Sequence, residues 1–235
     1  MTPTSVPQWV HRLRHTIATW LTAATDTTST EDCVAASSTE VAFRWSVQPD
    51  VGTSAFFERV CRLLTDVVNS PVFHDRINSQ SFGRVRCSGA AMDARGILCI
   101  MRRGHEADTV PDNRIDISVT LHQLDDKEFG RVEPPSREIY LDFRFVRDCI
   151  AEDNVVHTMR VLLHEWLHSA GFRHESENGW HEVAFVVDSI AARVALELAQ
   201  SKGHHYGIGP KGLKLDPAQV TARWRCRVFI DDGER

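Results

Sequence analysis

The chain has 235 residues and a mass of 26.6 kDa, enough for one sizeable core or for two small lobes that share a cleft. Apolar residues make up 42% and charged residues 25%, as in ordinary globular proteins, and no apolar run is long enough to span a bilayer. The net charge is −5 and the Lys and Arg residues are scattered, which argues against nucleic acid or an anionic membrane as the main partner.

The N-terminus and the cysteines bear on the cellular compartment. A secretory signal needs a basic start and an unbroken apolar core, but Arg12, Arg14 and His15 lie where that core would be. The six cysteines are widely spaced and form no CxxC pair: Cys33, Cys61, Cys87, Cys99, Cys149 and Cys226. We therefore expect reduced thiols and a cytoplasmic protein, with export by a route that needs no cleaved signal left open.

The N-terminal part of the chain contains two predicted helices and one predicted strand. Apolar residues recur at helical spacing over residues 8–24, and a linker rich in Thr, Ser and Ala follows over residues 25–40. Residues 41–47, VAFRWSV, alternate as in a strand. A second amphipathic helix is predicted over residues 53–70.

The middle of the chain is predicted to be rich in strands. The helix over residues 53–70 has Thr53 and Ser54 as candidate caps, and Pro71 is predicted to stop it. Four strand-like runs follow, with Pro and Gly in the gaps between them: residues 83–89, 95–103, 114–122 and 137–145. The last two runs alternate apolar and polar residues, which is typical of strands with one buried face.

The period of the apolar residues then becomes helical. A broad apolar face extends over residues 152–170, and Gly171 is expected to end this helix. A further helix is predicted from about Trp180 to Gln200, then a glycine-rich loop over residues 203–212 and a late strand over residues 223–230. This order of elements predicts an α+β or α/β lobe with a smaller helical lobe.

The first of these two helices contains the sequence HEWLH, in which His164 and His168 are four residues apart. That spacing puts both imidazoles on one helix face with their Cβ atoms roughly 5–6 Å apart, so two ring nitrogens can converge on one ion. Glu165 follows the first histidine and can reach a water held at the ion without binding the ion itself. This HExxH arrangement is typical of zinc-dependent hydrolysis, with the glutamate as the acceptor of the water's proton.

A third ligand must come from beyond this helix. Gly171 lies three residues after His168 and readily takes the left-handed conformation that permits a sharp turn, which lets His174 return to the ion. Three neutral imidazoles and one water leave the open coordination position that catalysis needs. The pattern HExxHxxGxxH fixes five positions, and chance would produce it in such a chain on the order of once in ten thousand.

The stretch HEWLHSAGFRHE, residues 164–175, resembles the signature of the metzincin zinc peptidases, and its GFxHE form is closest to that of the astacins. The resemblance implies Zn²⁺ held by His164, His168 and His174, with Glu165 as general base and later as proton donor to the leaving amine. It also implies an α+β, metzincin-like zincin fold. This fold has a mixed five-stranded sheet with a backing helix and the active-site helix, over a small helical C-terminal subdomain.

The same resemblance divides the chain into three parts. Residues 1–40 would be an N-terminal helix and linker, residues 41–175 the upper catalytic subdomain with the active-site helix, and residues 176–235 the small C-terminal subdomain. Residues 114–122, RIDISVTLH, would form the edge strand beside the cleft, where a peptide substrate adds main chain to main chain.

Two acidic residues after the motif leave the ligand set open. In the gluzincin plan a glutamate from the following helix is the third ligand, and Glu182 could take that place, although Gly171 and the spacing favour His174. Otherwise Glu182 or Asp188 could accept the hydrogen bond that fixes a histidine tautomer. Both acids would also suit a solvated helix face, with Glu182 favoured by the dipole at its N-terminal end.

Five other side chains have weaker signals. His157 lies two turns before the first motif histidine and is expected at the rim of the site, and His181 is expected at a helix cap. His205 or Tyr206, in the glycine-rich loop, could donate a hydrogen bond to an oxyanion. Cys87 lies between strand-like residues and is expected to be a core thiol.

These observations predict a zinc-dependent endopeptidase, with a peptide or protein as substrate and neither nucleic acid nor membrane as partner. Metzincins carry a methionine turn after the third histidine, but no methionine follows His174 here; the four are Met1, Met92, Met101 and Met159. The alternative is therefore a silent or single-target zinc-binding regulatory or sensor protein of gluzincin-like type, with Glu182 as third ligand. Zinc-dependent hydrolysis of a non-peptide amide is a third option.

Overall fold

The computed structural model describes seven stretches of the chain: residues 38–82, 85–87, 90–106, 109–125, 128–133, 137–173 and 183–202. Within these stretches the chain is α+β, with six helices, a four-stranded mixed sheet and a two-stranded hairpin. The predicted helix over residues 8–24, most of the predicted linker and the late strand over residues 223–230 lie outside them.

The described elements follow one another as a strand, two helices, a hairpin, a helix, three strands and three helices. The strands are β1 (Glu40–Trp45), β2 (Val85–Cys87), β3 (Ala90–Met92), β4 (Arg114–His122), β5 (Gly130–Val132) and β6 (Glu138–Asp142). The helices are α1 (Val51–Val68), α2 (Pro71–Asn78), α3 (Ala94–Arg103), α4 (Phe143–Ala151), α5 (Val155–Ser169) and α6 (Val183–Lys202).

The four-stranded sheet has the order β1–β4–β6–β5. Strands β1, β4 and β6 are parallel, with Phe43 opposite Ile117 and Val119 opposite Ile139, and β5 pairs antiparallel with β6 at one edge. The expectation that residues 114–122 form the edge strand is wrong, because they form β4, which is hydrogen-bonded to a strand on each side. The edge strand beside the predicted active-site helix is β5.

The expected five-stranded sheet is also wrong, because residues 95–103 form helix α3. The Asp93 carboxylate accepts a hydrogen bond from the Gly96 N–H at 2.8 Å at the start of α3, and Gly104 takes a left-handed conformation at its end. The buried apolar side chains of α3 recur at helical spacing: Ile97, Leu98, Ile100 and Met101. Strands β2 and β3 pair with each other in the hairpin, so four strands make up the described main sheet.

Side-chain caps set several element boundaries that composition did not reveal. Helix α1 is capped by Asp50, whose carboxylate accepts from the Thr53 N–H at 3.0 Å. Pro71 is the first residue of α2, where a backbone N–H is not needed, so this proline begins a helix. Asp142 ends β6 and caps α4 by accepting from the Phe145 N–H at 3.1 Å, so the predicted strand over residues 137–145 continues as helix.

One hydrophobic core joins the helices to the sheet, and α1, α5 and α6 all contribute to it. On α1, the ring of Phe57 packs against Phe43 and Trp45 of β1, with centroid distances of 5.5 and 4.6 Å. The last of the described helices, α6, is buried against α5 and α1 along much of its length. None of the described helices is long and apolar enough to cross a membrane.

A buried hydrogen bond ties α5 to the sheet. Trp166 on α5 is fully buried, and its Nε1–H donates to Oε1 of Glu106 at 2.7 Å. The same oxygen accepts the Asp116 N–H of β4 at 3.0 Å. Burial raises the pKa of Glu106, and these two donors offset part of that effect. The indole therefore anchors the helix at a fixed position along the sheet.

A second carboxylate connects the three parallel strands on the opposite face of the sheet. Glu138 on β6 accepts hydrogen bonds from Ser118 and Thr120 of β4, each at 2.7 Å, and from Ser46 just beyond β1. Partial burial acts to raise the pKa of Glu138, but the three hydroxyl donors together hold it below its usual value. One side chain thus crosslinks β1, β4 and β6 without a backbone contact.

The cysteines only partly follow the expectation of reduced thiols. Cys99 is disulfide-bonded, so the expectation is wrong for this residue. Cys61 and Cys149 are free, and burial raises the pKa of each thiol to about 12. These two side chains are therefore thiols held within the fold, not reactive thiolates. The side chain of Cys87 lies outside the described part of the chain.

Candidate metal centre

Helix α5 brings the two motif histidines together in its C-terminal half. The side chain of Asn154 caps the helix by accepting from the His157 N–H at 3.2 Å. The rings of His164 and His168 follow two and three turns later, with centroids 4.9 Å apart and planes at 81°. His164 is fully buried, whereas His168 is partly exposed. The pair therefore lies where the buried helix approaches the surface.

His164 is held by a carboxylate from the next helix. Its Nδ1 lies 2.9 Å from Oδ2 of Asp188 on α6, and both side chains are fully buried. An ionised carboxylate only accepts hydrogen bonds, so Nδ1 is the donor in this contact, and in the neutral ring the lone pair lies on Nε2. Of the two acids predicted as such an acceptor, Asp188 makes the contact, and Glu182 lies outside the described residues.

The second carboxylate oxygen of Asp188 accepts hydrogen bonds from two other side chains. Oδ1 accepts from Nε of Arg160 at 2.9 Å and from the Ser189 hydroxyl at 3.0 Å, and Arg160 is buried as well. Nη2 of Arg160 also donates to the Ser189 oxygen at 3.3 Å. The guanidinium of Arg160 compensates the negative charge of Asp188 inside the core. Without such a partner, burial of an ionised carboxylate would be strongly unfavourable.

His168 is held by the turn that ends its own helix. Gly171 has φ = 98°, a conformation that favours glycine, as the sequence predicts. The Phe172 N–H donates to the Leu167 carbonyl at 3.1 Å and the Gly171 N–H to the His168 carbonyl at 3.0 Å, the two bonds of a Schellman motif. The turn brings the Phe172 carbonyl 2.6 Å from Nδ1 of His168. A carbonyl also only accepts, so Nδ1 of His168 is the donor, and in the neutral ring the lone pair again lies on Nε2.

Glu165 lies between α5 and the edge strand β5 and is only 1% exposed. A Cβ added to Gly130 of β5 would lie 3.0 Å from Cγ and 3.2 Å from Oε1 of Glu165. It would also lie 3.1 Å from Cδ2 of Leu141. A Cβ at this position would displace the Glu165 and Leu141 side chains by a few tenths of an ångström, so the glycine leaves room for their observed positions. Gly130 carried no signal in the sequence, because a close backbone approach depends on tertiary packing.

Helix α6 also supplies an apolar contact to the first motif histidine. The ring of Phe185 packs against the ring of His164, with their centroids 4.8 Å apart. Phe185 and Asp188 are three residues apart and therefore share a helix face. This face of α6 lies against His164 of the candidate site. An apolar residue in an apolar helix gave no sequence signal for this contact.

His157 does not join the two motif histidines. Its ring packs against Phe129 and Phe145, with centroid distances of 5.7 and 5.1 Å. Burial, with a smaller contribution from the nearby Arg160 charge, lowers the pKa of His157 to about 4. Its ring is therefore neutral at physiological pH and acts as part of the aromatic packing around α5.

Several predicted site residues lie outside the described part of the chain: His174, His181, Glu182, His205 and Tyr206. Within the described residues, no group of three or more His, Cys, Asp or Glu side chains could hold a metal ion. The structure thus brings together His164 and His168, the two expected ligands that it describes, and places the expected base, Glu165, against strand β5. The third ligand stays a prediction.

The described donors nevertheless fit a zinc ion. Each imidazole has an acceptor at Nδ1, so each ring in its neutral form offers a metal the lone pair of Nε2. The acceptors of both Nδ1 protons, a carboxylate and a backbone carbonyl, are the partners that metal-binding histidines commonly have. A search for related proteins adds nothing to this geometry: no protein-family model, curated protein or solved structure matches the chain.

Proposed function

We propose that this chain is a zinc-dependent endopeptidase in which His164, His168 and His174 hold Zn²⁺ and Glu165 is the general base. The observation that carries the proposal is the pair of neighbouring imidazoles whose Nδ1 atoms are both hydrogen-bonded to acceptors. When bound, zinc supplies a Lewis acid that polarises a carbonyl oxygen and makes water nucleophilic near neutral pH. The cofactor is thus Zn²⁺ and the reaction is hydrolysis of a peptide bond.

Glu165 moves the protons in this proposal. It follows His164 directly in sequence, and in this proposal its carboxylate reaches the water held at the ion without binding the ion itself. It accepts the proton of the attacking water and then donates that proton to the leaving amine. Burial between α5 and Gly130 holds the carboxylate in place and limits its contact with bulk water.

The edge strand β5 supports a peptide as the substrate. It is the last strand of the described sheet, and its Gly130 is packed against the proposed base. An extended peptide that pairs with β5 would run beside Glu165, with main-chain hydrogen bonds for affinity and pockets for alternate side chains. In this proposal β5 takes the substrate-binding role that the sequence analysis assigned to residues 114–122.

The third ligand is proposed to come from residues 174–182. Both flanks of this segment lie at the candidate site, because the Phe172 carbonyl contacts His168 and the Phe185 ring contacts His164. His174 follows Phe172 by two residues, within the reach of an extended chain. Spacing favours His174, with Glu182 as the alternative that the sequence left open.

Zinc content identifies this ligand. We expect one zinc per chain in the purified wild type, and loss of most of that zinc in His174→Ala at equal protein concentration. Glu182→Ala and His181→Ala should keep the zinc and serve as matched variants from the same segment. Full zinc content in His174→Ala together with loss in Glu182→Ala would transfer the ligand role to Glu182, and loss in His181→Ala would transfer it to His181.

The proposed activity is tested by Glu165→Gln, which keeps the size of the side chain and removes the base. Zinc content should stay at the wild-type level, while cleavage of a broad peptide library falls by about a hundredfold or more. Glu58→Gln is the control, because Glu58 is an exposed glutamate on α1 with a side chain 70% exposed. Undiminished cleavage by Glu165→Gln would remove Glu165 from the mechanism.

The near-complete burial of His164 and Glu165 favours a second candidate function, a zinc-binding regulatory or sensor protein with a single target. A site that is this enclosed admits few substrates without rearrangement. The same peptide library separates the two functions. Cleavage with a side-chain preference supports a general endopeptidase, whereas zinc binding without cleavage of any library peptide supports the narrow role.

A further inference from the structure

Asp188 accepts hydrogen bonds from two sides, and the two sides make different demands on it. Oδ2 faces Nδ1 of His164 at 2.9 Å, and Oδ1 faces Nε of Arg160 at 2.9 Å and the Ser189 hydroxyl at 3.0 Å. Arg160, His164 and Asp188 are all buried, so solvent does not take the place of these partners. The orientation of the side chain at position 188 therefore decides whether Nδ1 of His164 faces a hydrogen-bond acceptor or a donor.

We propose that Arg160 and Asp188 act together as positioning residues that fix the tautomer of His164 and so keep its Nε2 lone pair directed at the metal. This inference rests on the proposed zinc site and extends it to a residue, Arg160, that touches neither metal nor substrate. A guanidinium donates hydrogen bonds and never accepts them, so it requires an acceptor at the Oδ1 position. In the wild type, the carboxylate satisfies Arg160 and His164 at once because both of its oxygens accept.

An amide in place of this carboxylate cannot satisfy both partners in the same way. In Asp188→Asn, Arg160 requires the amide oxygen on its own side, which turns the NH₂ group toward Nδ1 of His164. Nδ1 must then accept, so the imidazole proton moves to Nε2, and a protonated Nε2 cannot bind zinc. The substitution thus reverses the histidine tautomer while it leaves side-chain size and all candidate ligands unchanged.

The double variant Arg160→Met/Asp188→Asn removes the guanidinium donor that fixes the orientation of the amide at position 188 in the single variant. Without the guanidinium, the amide can place its NH₂ on the Ser189 oxygen, which also accepts, and its carbonyl oxygen on His164. The Nδ1–H tautomer returns and zinc binding recovers. A second substitution that repairs the first distinguishes a directional network from a general loss of packing.

Two measurements on the full chain test the proposal. The tautomer of His164 is read in zinc-free protein from the ¹⁵N chemical shifts of its ring, assigned by comparison with His164→Gln. Zinc affinity is read by competition with a chelator, with folding checked by circular dichroism. Glu197→Gln is the matched control: it is an exposed acid on α6 that pairs with Arg76, and both readings should equal the wild type.

The expected tautomers are Nδ1–H in the wild type, Nε2–H in Asp188→Asn and Nδ1–H again in the double variant. Zinc affinity should fall by about 10–100-fold in Asp188→Asn and recover to within about tenfold of the wild type in the double variant. A wild-type His164 with its proton on Nε2 would overturn the proposal, whether or not the variants fold. Equal zinc affinity in the two variants would overturn it as well. If the wild type binds no zinc, the proposed function fails while the three tautomers still decide the network.

Discussion

The two histidines of the candidate site are one helical turn apart, yet they are held by different kinds of structure. Nδ1 of His164 is bonded to a side chain of another helix, inside a charged network with no exposure to solvent. Nδ1 of His168 is bonded to the backbone carbonyl of Phe172, four residues along its own chain, in the turn after α5. The first anchor depends on tertiary packing and the second on local structure.

Because of this difference, we expect the loss of each anchor to change the free energy of unfolding by a different amount. The anchor of His164 is part of the core, so damage to it should reduce the free energy of unfolding of the whole fold. The anchor of His168 is a turn that follows a helix. Damage to it should therefore reduce the free energy of unfolding by less, and should affect the position of the His168 ring more than the fold. Asp188→Ala and Gly171→Ala test this comparison directly, and His157→Phe and Gly130→Ala test the surroundings of the site; the four substitutions follow in order of decreasing expected effect.

The largest effect is expected for Asp188→Ala, which leaves the guanidinium of Arg160 buried and uncompensated. Breaking a buried ion pair from one side typically lowers the free energy of unfolding by about 3–5 kcal/mol. Urea denaturation of the zinc-free protein measures the loss. Glu197→Ala is the control on the same helix, since its ion pair with Arg76 is largely exposed and should contribute no more than about 1 kcal/mol. Equal losses in the two variants would contradict the distinction.

The next effect concerns the pH dependence of stability and involves His157, which is on α5 but is not one of the two motif histidines. Because its pKa falls from 6.5 to about 4 on folding, the folded state binds fewer protons, and stability is lost as the pH decreases between these two values. His157→Phe should remove on the order of 3 kcal/mol from the wild-type difference in unfolding free energy between about pH 7 and about pH 4. Urea denaturation at the two pH values, with chelator present, measures it. An unchanged pH difference would mean that His157 is not desolvated.

A smaller effect is expected at the local anchor. Gly171→Ala puts a Cβ on a residue with φ = 98° and should lower the free energy of unfolding by about 1–2 kcal/mol. The strained turn should also withdraw the Phe172 carbonyl from His168, so zinc affinity should fall even where the protein is fully folded. Ser201→Ala, at an exposed position near the end of α6, is the control and should change neither reading. A stable variant with wild-type zinc affinity would show that the turn does not orient His168.

The smallest effect on stability is expected for Gly130→Ala, in the edge strand. The new methyl group would displace the flexible Glu165 and Leu141 side chains by a few tenths of an ångström, at less than about 1 kcal/mol. If Glu165 is the base, the peptide-cleavage rate should fall several-fold while zinc content is unchanged. Gly52→Ala on α1 is the control: its added Cβ would meet the capping carboxylate of Asp50 and not Glu165, so any cost to stability there should leave the peptide-cleavage rate unchanged. Wild-type activity in Gly130→Ala would indicate that Glu165 does not depend on this contact.

The sequence predicted the local anchor better than the tertiary one. Gly171 was singled out because a positive φ follows from the chemistry of glycine at a helix end, and the turn is confirmed. Asp188 was one of two acids named as an acceptor for a motif histidine, and it makes that contact. Arg160 and Phe185 gave no signal, because a buried arginine and a phenylalanine in an apolar helix are unremarkable until the two helices pack together.

The errors in the sheet have a similar cause. Residues 95–103 contain several β-branched and apolar residues, but the caps Asp93 and Gly104 make them a helix. Strand β5 is only three residues long, too short to show a period, and its edge position depends on pairing with β6. Residues 114–122 were correctly predicted as a strand, but their place in the strand order is set by partners far away in sequence. Local pattern predicted the elements well where they are long, and poorly where capping or pairing decides.

The hydroxyl cluster around Glu138 has a consequence for how the strands find their alignment. The hydroxyls can reach this carboxylate in only one register of the two strands. Ser118 and Thr120 alternate along β4 with Val119 and Leu121, which point to the opposite face of the sheet. A shift of β6 by a single residue would turn the Glu138 carboxylate toward the hydrophobic face of the sheet, and all of its hydrogen bonds to these hydroxyls would be lost. Glu138 thus favours one register of the strands in the sheet against which helix α5 packs on the opposite face.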